Sequence, residues 1–275
     1  MPELPEVEYE RRRLQRVMTR ARIERVVTRR ANLRYAFPPD FAQRLEGQTV
    51  LAVRRRAKYL LAELGSGDVL LMHLGMSGGF RVADGDAEYD PHDHVIFEIS
   101  TGAVVVFNDP RRFGFMTLLR AEDVESHPAL ARLGPEPLAA RFGPAVLARE
   151  LGRRRTPLKI ALSDQRVIAG LGNIYVSEAL YRARLSPKRR ASTLVTRTGE
   201  PRPALDNLVR AIKDVLKVAI RNQYPTRVAS GFSRKDPFLV YDREGERCPR
   251  RGCGGTIKRI VQGGRSTFFC PVCQP

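Results

Sequence analysis

Tryptophan is absent from this 275-residue sequence, histidine and cysteine each occur four times, and acidic residues are outnumbered by basic ones. No apolar run approaches the roughly 18–20 residues that a transmembrane helix needs, so we expect no membrane-spanning segment. The first residues carry no apolar core, so we expect no secretory signal and a cytoplasmic location. With 43% hydrophobic and 28% charged residues, the composition is typical of a globular protein rather than a disordered chain.

The excess of basic residues points to a polyanionic partner. Lysine and arginine number 48 and aspartate and glutamate number 30, which gives a formal net charge of +18. The basic residues concentrate in residues 11–34, 149–190 and 243–275, each inside sequence that looks structured. Nucleic acid is the most common partner of such a protein. Charge alone also fits a basic protein without such a partner.

Hydrophobic periodicity predicts elements of two classes. Residues 6–18 have helical spacing, and Pro5 suits a first helical turn. Between residues 205 and 220, apolar residues again recur with helical spacing, over four turns. Seven short apolar runs between turn residues predict an antiparallel sandwich or barrel; they are Ile23–Val27, Thr49–Val53, Tyr59–Leu64, Val69–Leu74, His94–Ile99, Val104–Phe107 and Phe113–Leu118.

The predicted fold class is therefore α+β. We expect an N-terminal antiparallel β-sandwich domain with a leading helix over residues 1–130 and a helical domain over residues 131–240. A short C-terminal module over residues 241–275 follows.

The four cysteines form a metal-binding pattern at the end of the sequence. Four residues separate Cys248 from Cys253, sixteen separate Cys253 from Cys270, and two separate Cys270 from Cys273. Two such knuckles on a hairpin supply the four thiolates of a structural zinc site, and Gly263-Gly264 is a hairpin turn by its chemistry. Disulfides are the alternative, which a cytosolic setting disfavours.

Residue 2 offers unusual chemistry once the initiator methionine is removed, which is common before a small residue. Removal exposes the secondary amine of Pro2, and a free α-amine has a pKa near ~7.7–8.0, so about a tenth of it is neutral at pH 7. A neutral amine beside Glu3 suits nucleophilic Schiff-base chemistry. The residues alone also allow the plainer interpretation in which Pro2 begins the chain and Glu3 is solvated.

Several blocks, in order along nearly the whole chain, carry a family resemblance. They are PELPEVE at 2–8, RRAKYL at 55–60, HLGMSG at 73–78, HDHV at 92–95, DPRRFG at 109–114, LGPEPL at 133–138, GLGNIY at 170–175 and RSTFFC at 265–270. With the cysteine module, this sequence resembles the bacterial formamidopyrimidine-DNA glycosylase and endonuclease VIII family of DNA glycosylase/AP lyases. The resemblance implies that residues 131–240 form a helix–two-turns–helix domain and residues 241–275 a β-hairpin zinc finger.

The resemblance also implies how the reaction runs. Pro2 would attack C1′ of the damaged nucleotide and form an iminium, after which β- and δ-elimination leave a gapped strand. Glu3 would act as acid and base at the deoxyribose, and Glu6 would fix the N-terminus. Lys58 would bind a flanking phosphate and help to keep Pro2 neutral. Arg265, at the fingertip of the zinc module, would contact phosphate in a late step.

Further residues match positions that contact DNA. A base removed by an enzyme must leave the stack, and Met76, Arg111 and Phe113 match the residues that fill the gap. The residues alone also allow Met76 and Phe113 to lie in the sandwich core. The remaining predicted contacts are the phosphate-contacting His92 and Arg154, Asn173 at a helix start that favours phosphate, and Lys159 near the lesion.

The sequence departs from the family pattern in two places. The first zinc knuckle has four intervening residues where the family usually has two. Residues 222–241 replace the usual Gly-Gly-Ser/Thr-rich stretch and base-covering loop, which bears on lesion preference.

The predicted function is excision of oxidised purines from damaged or abasic double-stranded DNA by a monomer with one structural zinc and no organic cofactor. The expected location is the bacterial cytoplasm, on the nucleoid. The same chemistry on oxidised pyrimidines and a non-catalytic zinc-containing DNA-binding protein are the alternatives.

Overall fold

The computed structural model describes residues 2–84, 88–222 and 238–275. The described chain divides into two compact units, the first over residues 2–131 and the second over residues 132–221 and 238–275. In these described ranges, no helix combines the length and the apolar character needed to cross a membrane.

The first unit is an antiparallel β-sandwich with a leading helix. Helix α1 spans Leu4–Met18 and buries Leu4, Val7 and Leu14, which lie on one face. A short helix α2 spans Phe41–Leu45. The eight strands are β1 (Ile23–Thr28), β2 (Val50–Arg56), β3 (Tyr59–Leu64), β4 (Asp68–His73), β5 (Gly79–Asp84), β6 (Asp93–Ile99), β7 (Ala103–Asn108) and β8 (Phe115–Arg120).

These strands form two four-stranded sheets of order β1-β6-β7-β5 and β2-β3-β4-β8, with antiparallel pairing throughout. One apolar core contains side chains from both sheets and from α1, including Leu14, Leu60 and Phe107. Burying these side chains is the main term that stabilises such a sandwich.

The second unit is helical and ends in a two-stranded hairpin. Its helices are α3 (Pro144–Leu151), α4 (Leu158–Ser163), α5 (Asn173–Arg182) and α6 (Pro203–Arg221), and its strands are β9 (Lys258–Gln262) and β10 (Arg265–Phe269). The buried face of α6 has the predicted spacing, with Leu205, Leu208, Ile212 and Leu216 fully buried. Gly263 and Gly264 both have positive φ angles, of 57° and 71°. A two-residue hairpin turn of type I′ requires positive φ at both central residues.

The predicted α+β fold class is confirmed, including the leading helix, the antiparallel sandwich and the zinc-module hairpin. The sequence prediction missed strand β5, which begins at a glycine, contains Arg81 and pairs only with β7 at a sheet edge. It also extended the last run to Phe113, whereas β8 begins at Phe115. The division at residues 130 and 240 stays a prediction.

Candidate active site and nucleic-acid surface

The start of α1 is fixed by its own acidic residues. Glu3 is the N-cap of the helix, and its backbone N–H donates to the Glu6 carboxylate over 2.8 Å. This bond satisfies a backbone donor that would otherwise lack a helical partner. Glu3 is only 2% exposed, and Pro2 is also buried. A buried carboxylate next to Pro2 can serve as a local acid and base.

Helix α1 docks onto strand β2 close to the turn that carries Lys58. Arg11 bonds the Glu8 carboxylate at 2.9 Å and the carbonyl of Val53 at 3.3 Å. Arg55 lies 3.4 Å from the same carboxylate and donates to the carbonyl of Ala57 over 2.9 Å. These bonds bring the first turns of α1 to the hairpin end of β2.

Lys58 occupies a tight turn and is nevertheless buried. Arg56 pairs with Tyr59 across β2 and β3, so Ala57 and Lys58 alone form the turn. Ala57 has a φ of 52°, a left-handed conformation that costs energy for a residue with a Cβ atom. Lys58 is 6% exposed, although lysine on a turn normally extends into water. A buried cation in a constrained turn is typical of a functional site.

The loop that contains Met76 and the loop that contains Arg111 and Phe113 are held together by close contact between their backbones. Gly75 has a φ of 64°, and a Cβ added there would lie 2.3 Å from the backbone nitrogen of Gly114. A Cβ on Gly114 would lie 2.8 Å from the carbonyl oxygen of His73. Only glycine permits this approach. The loop after β4 and the loop before β8 therefore form one platform.

Asp109 ties this platform together. Its side chain is fully buried and accepts hydrogen bonds from the Ser77 hydroxyl at 2.6 Å and the Gly114 backbone N–H at 2.8 Å. The Ser77 hydroxyl oxygen in turn accepts the backbone N–H of Arg111 over 3.2 Å. Neither Asp109 nor Ser77 was predicted from the sequence as a site residue, because only the fold brings them together.

The platform presents apolar side chains to solvent. Met76 is 38% exposed and Phe113 is 45% exposed, which excludes the sandwich-core alternative for both. The guanidinium carbon of Arg111 lies 4.8 Å from the centroid of the Phe113 ring. Exposed apolar side chains on a rigid loop, beside a cation, suit insertion between base pairs.

Replacing Asp109 tests whether it holds the platform. Asp109→Ala leaves buried donors unsatisfied, and we expect it to lower the free energy of unfolding by about 2–4 kcal/mol. Ser77→Ala removes one bond to Asp109 and the acceptor of the Arg111 N–H but keeps the bond from Gly114, so it should cost less, about 1–2 kcal/mol. Denaturant unfolding of both variants checks this order. Equal costs for the two variants would contradict the role given to the carboxylate.

His73 is a further residue that the sequence analysis missed. It lies at the end of β4, its Nδ1 accepts the backbone N–H of Gly75 over 3.1 Å, and its ring stacks on Phe115. Burial, reinforced by the charges of Lys58 and Arg34, lowers the pKa of His73 from 6.5 to about 4. The ring is thus neutral at pH 7, and because Nδ1 accepts, Nε2 carries the proton.

This lowered pKa predicts a pH-dependent stability. Because the pKa of His73 is lower in the folded than in the unfolded protein, protonation favours unfolding. The stability that His73 contributes is therefore fully present above pH 6.5 and is lost as the pH falls towards 4. The loss reaches at most about 3 kcal/mol. His73→Asn keeps an acceptor for Gly75 but cannot titrate, so its unfolding free energy should fall less between pH 7 and pH 5 than that of the wild type. Parallel pH dependences would show that His73 is not buried as described.

In the second unit, two turns lead from α4 into α5 and are held by one glutamine. The Gln165 side chain donates to the carbonyl of Leu171 over 2.6 Å and accepts the N–H of Gly170 over 2.8 Å. Gly170 has a φ of 83°, and α5 begins directly afterwards at Asn173. The start of a helix favours anions, because the positive end of the helix dipole lies there.

Three predicted DNA-contacting residues of this unit lie at the zinc-module hairpin or contact it. Lys159 on α4 is 1% exposed, and its Nζ lies 3.5 Å from the carbonyl of Gln262. Asn173 donates through Nδ2 to the carbonyl of Ser266 over 2.9 Å, so in this structure its amide braces the hairpin. Arg265 begins β10 and is exposed. These contacts bring α4, the start of α5 and the hairpin tip together.

Two predicted phosphate contacts lie outside this cluster. His92 is an exposed residue immediately before β6 in the first unit. Arg154 forms an ion pair of 3.1 Å with Asp164. The pKa of Asp164 is lowered, mainly by hydrogen bonds from Arg166 and also by the positive charges of Arg166 and Arg154. Partial burial opposes this shift but is the smaller effect. To bind a DNA phosphate, Arg154 would therefore have to give up its ion pair with Asp164.

The four cysteines converge as the spacing predicts. Their Sγ atoms all lie within 4.8 Å of one another, with Cys248 3.8 Å from Cys273 and Cys253 3.5 Å from Cys270. Tetrahedral ligands about 2.3 Å from zinc lie about 3.8 Å apart, so the four thiols fit one structural zinc. Most of segment 222–241, where the sequence departs from the family pattern, lies outside the described residues.

Comparison with known proteins agrees with this architecture. The family model of the formamidopyrimidine-DNA glycosylase N-terminal domain matches residues 1–116, that of its H2TH domain residues 133–230, and a zinc finger found in FPG and IleRS residues 245–275. The formamidopyrimidine-DNA glycosylase of Rhodopseudomonas palustris (strain BisB18) is 56% identical over 293 aligned residues, which cover all of both chains.

Two solved structures extend the comparison. The Lactococcus lactis Fpg in complex with abasic-site DNA superposes with a TM-score of 0.87 at 32% identity, over 99% of each chain. A MutM complex with DNA containing carbocyclic 8-oxo-G has a TM-score of 0.86 at 32% identity, over 99% of each chain. Fold and matches thus place the chain among the zinc-finger DNA glycosylases. Within that class, it belongs to the formamidopyrimidine-DNA glycosylase family.

Proposed function

We propose that this chain is a bifunctional DNA glycosylase and AP lyase of base excision repair that removes formamidopyrimidines and 8-oxoguanine from double-stranded DNA. The observation that supports this most is the pair of buried charges, Glu3 and Lys58, on elements that dock together at the start of α1. The relatives are named for formamidopyrimidine excision, and their complexes contain abasic and 8-oxo-G DNA.

The reaction would begin at the amine of Pro2 after removal of Met1. The neutral amine attacks C1′, the C1′–N bond to the damaged base breaks, and the base leaves with a proton. Opening of the sugar ring then gives an iminium. Loss of a proton from C2′ drives β-elimination of the 3′ phosphate, and loss of a second proton, from C4′, drives δ-elimination of the 5′ phosphate. Glu3 would carry a proton to and from the deoxyribose, while Glu6 holds the first turn of α1 through the N–H of Glu3.

Lys58 would supply the cation for a phosphate that flanks the lesion. Its charge already acts on His73: burial and the positive charge of Lys58 both lower the pKa of that histidine. Phosphate binding here would place the sugar against the chain start, and a fixed positive charge disfavours protonation of a nearby amine. The buried position strengthens both effects, because water screens a buried charge less than an exposed one.

The platform of Met76, Arg111 and Phe113 would fill the space that the flipped nucleotide leaves. Phe113 and Met76 would enter the base stack, and Arg111 would bond the orphaned partner base. In the second unit, Arg265 and the helix start at Asn173 would meet phosphates, and Lys159 would lie near the lesion. The enzyme would act as a monomer on chromosomal DNA in the bacterial cytoplasm, with one zinc ion and no organic cofactor.

A substrate panel tests the proposal. Duplexes with 8-oxoguanine opposite C or A, formamidopyrimidine, thymine glycol or an abasic site are incubated with the protein, with and without borohydride. We expect cleavage and a trapped covalent complex with the oxidised purines and the abasic site. Preferred cleavage of thymine glycol would move the substrate to oxidised pyrimidines. Binding without cleavage of the abasic duplex would indicate a non-catalytic DNA-binding protein.

A further inference from the structure

The loop at residues 249–252 of the first zinc knuckle, which is two residues longer than is usual in the family, docks on the end of α5. Arg250, the second residue of this inserted loop, donates from Nη2 to the carbonyl of Tyr181 over 2.8 Å. Its guanidinium carbon lies 4.8 Å from the centroid of the Tyr181 ring. A cation at the carbonyl end of a helix is favourable, as is one over an aromatic face. Arg250 therefore attaches the loop of the first knuckle to α5.

The hydroxyl group of the same tyrosine contacts the sulfur of a predicted zinc ligand. The Tyr181 hydroxyl lies 3.3 Å from Sγ of Cys248, and both residues are at least nine-tenths buried, at 3% and 9% exposure. A thiolate bound to zinc has no proton to donate, so the hydroxyl is the donor when the metal is held. Partners that bond to metal ligands in this way orient them and strengthen metal binding.

Helix α5 is braced against the zinc module at both ends. Its first residue, Asn173, donates to the carbonyl of Ser266 over 2.9 Å in the hairpin. Near its C-terminus, Glu178 accepts the backbone N–H groups of Leu239, Val240 and Tyr241 at 2.9–3.0 Å, just before the first knuckle. The Tyr181 contacts complete the C-terminal brace, in which Arg250 links the inserted loop to the helix.

We propose that Tyr181 and Arg250 are positioning residues of the zinc centre. Tyr181 holds Cys248 through its hydroxyl, and Arg250 holds Tyr181 through its ring and carbonyl. Together they slow the loss of zinc and attach the first knuckle to α5, so that the inserted loop has a stabilising role. The proposal depends on zinc occupying the four-cysteine site, and it does not depend on the lesion that the enzyme removes.

Zinc release from the full-length protein tests this inference. Release into excess chromophoric chelator is timed for the wild type, Tyr181→Phe, Arg250→Ala and Arg251→Ala. Tyr181→Phe keeps the ring for Arg250 and removes only the hydroxyl, and we expect release to be at least about 10-fold faster. Arg250→Ala should also accelerate release. Arg251→Ala changes an exposed arginine of the same loop and should behave as the wild type.

A spectroscopic measurement separates the hydroxyl from a general loss of stability. In the cobalt-substituted protein, Tyr181→Phe should shift the thiolate-to-metal charge-transfer band, because a hydrogen bond withdraws electron density from the sulfur. Arg251→Ala should leave the band unchanged. Wild-type release rates and an unshifted band in Tyr181→Phe would overturn the proposal. Equal acceleration in all three variants would do the same, since it would show that any change in this region loosens the metal.

Discussion

Pro2→Gly should lower the yield of borohydride-trapped complex on 8-oxoguanine duplex far more than it lowers DNA binding. Glycine keeps a terminal amine but loses the ring that holds the nucleophile in a buried position at the start of α1. Misplacement of a reacting atom by about 1 Å costs about 10²-fold in rate, so we expect a loss of about that size. Single-turnover cleavage measures the rate, and a duplex with a non-cleavable abasic analogue measures binding.

A blocked N-terminus provides the matched variant. Insertion of a lysine between Met1 and Pro2 prevents methionine removal and leaves the nitrogen of Pro2 in a peptide bond, where resonance removes its nucleophilicity. We expect no trapped complex from this protein. A C-terminal extension of the same residue serves as the control and should behave as the wild type. Cleavage by the blocked protein at the wild-type rate would show that another group is the nucleophile.

Lys58→Gln should lower kcat/KM for lesion excision by about 10²-fold, the usual cost of removing one fixed charge from a site. Lys58 is buried in a two-residue turn, so no mobile surface cation can replace it there. Lys58→Arg keeps the charge with a different shape and should recover part of the activity. Excision rates at several DNA concentrations separate binding from chemistry.

Arg54→Gln is the control for this loss of charge. Arg54 also lies on β2, but it is exposed and pairs with Glu63 at 2.7 Å on the surface. Such pairs contribute about 0–1 kcal/mol, and we expect excision close to the wild-type rate. Equal losses in Lys58→Gln and Arg54→Gln would mean that overall charge matters and the buried position of Lys58 does not.

The parts of the fold that depend on local pattern could be predicted from the sequence. The apolar stripe of α6, the four-cysteine spacing and the Gly263-Gly264 turn each lie within a short stretch of chain, so propensity and spacing determine them. The exception is β5, where the alternation is short: Phe80 and Val82 pack against the core and Arg81 lies between them, so no apolar run marks the strand. An edge strand has one neighbour and needs less apolar sequence than a central strand.

The site was predictable only in part, because several of its contacts join distant residues. Asp109 bonds Ser77 across 32 positions, and Tyr181 meets Cys248 across 67. No periodicity indicates such pairs. The contact of Gly75 with Gly114 likewise requires both loops to be in place. The family resemblance identified the sequence blocks that contain most of these residues. It did not indicate which residues form the hydrogen bonds that fix the site residues in position.

Peptide mapping of the trapped complex tests the central claim most directly. The protein is reduced with borohydride on an 8-oxoguanine duplex, digested with nuclease and protease, and analysed by mass spectrometry. We predict the reduced sugar adduct on the nitrogen of Pro2, in a peptide that lacks Met1. An adduct on the side chain of Lys58 or of any other lysine, with an unmodified N-terminal peptide, would contradict the account.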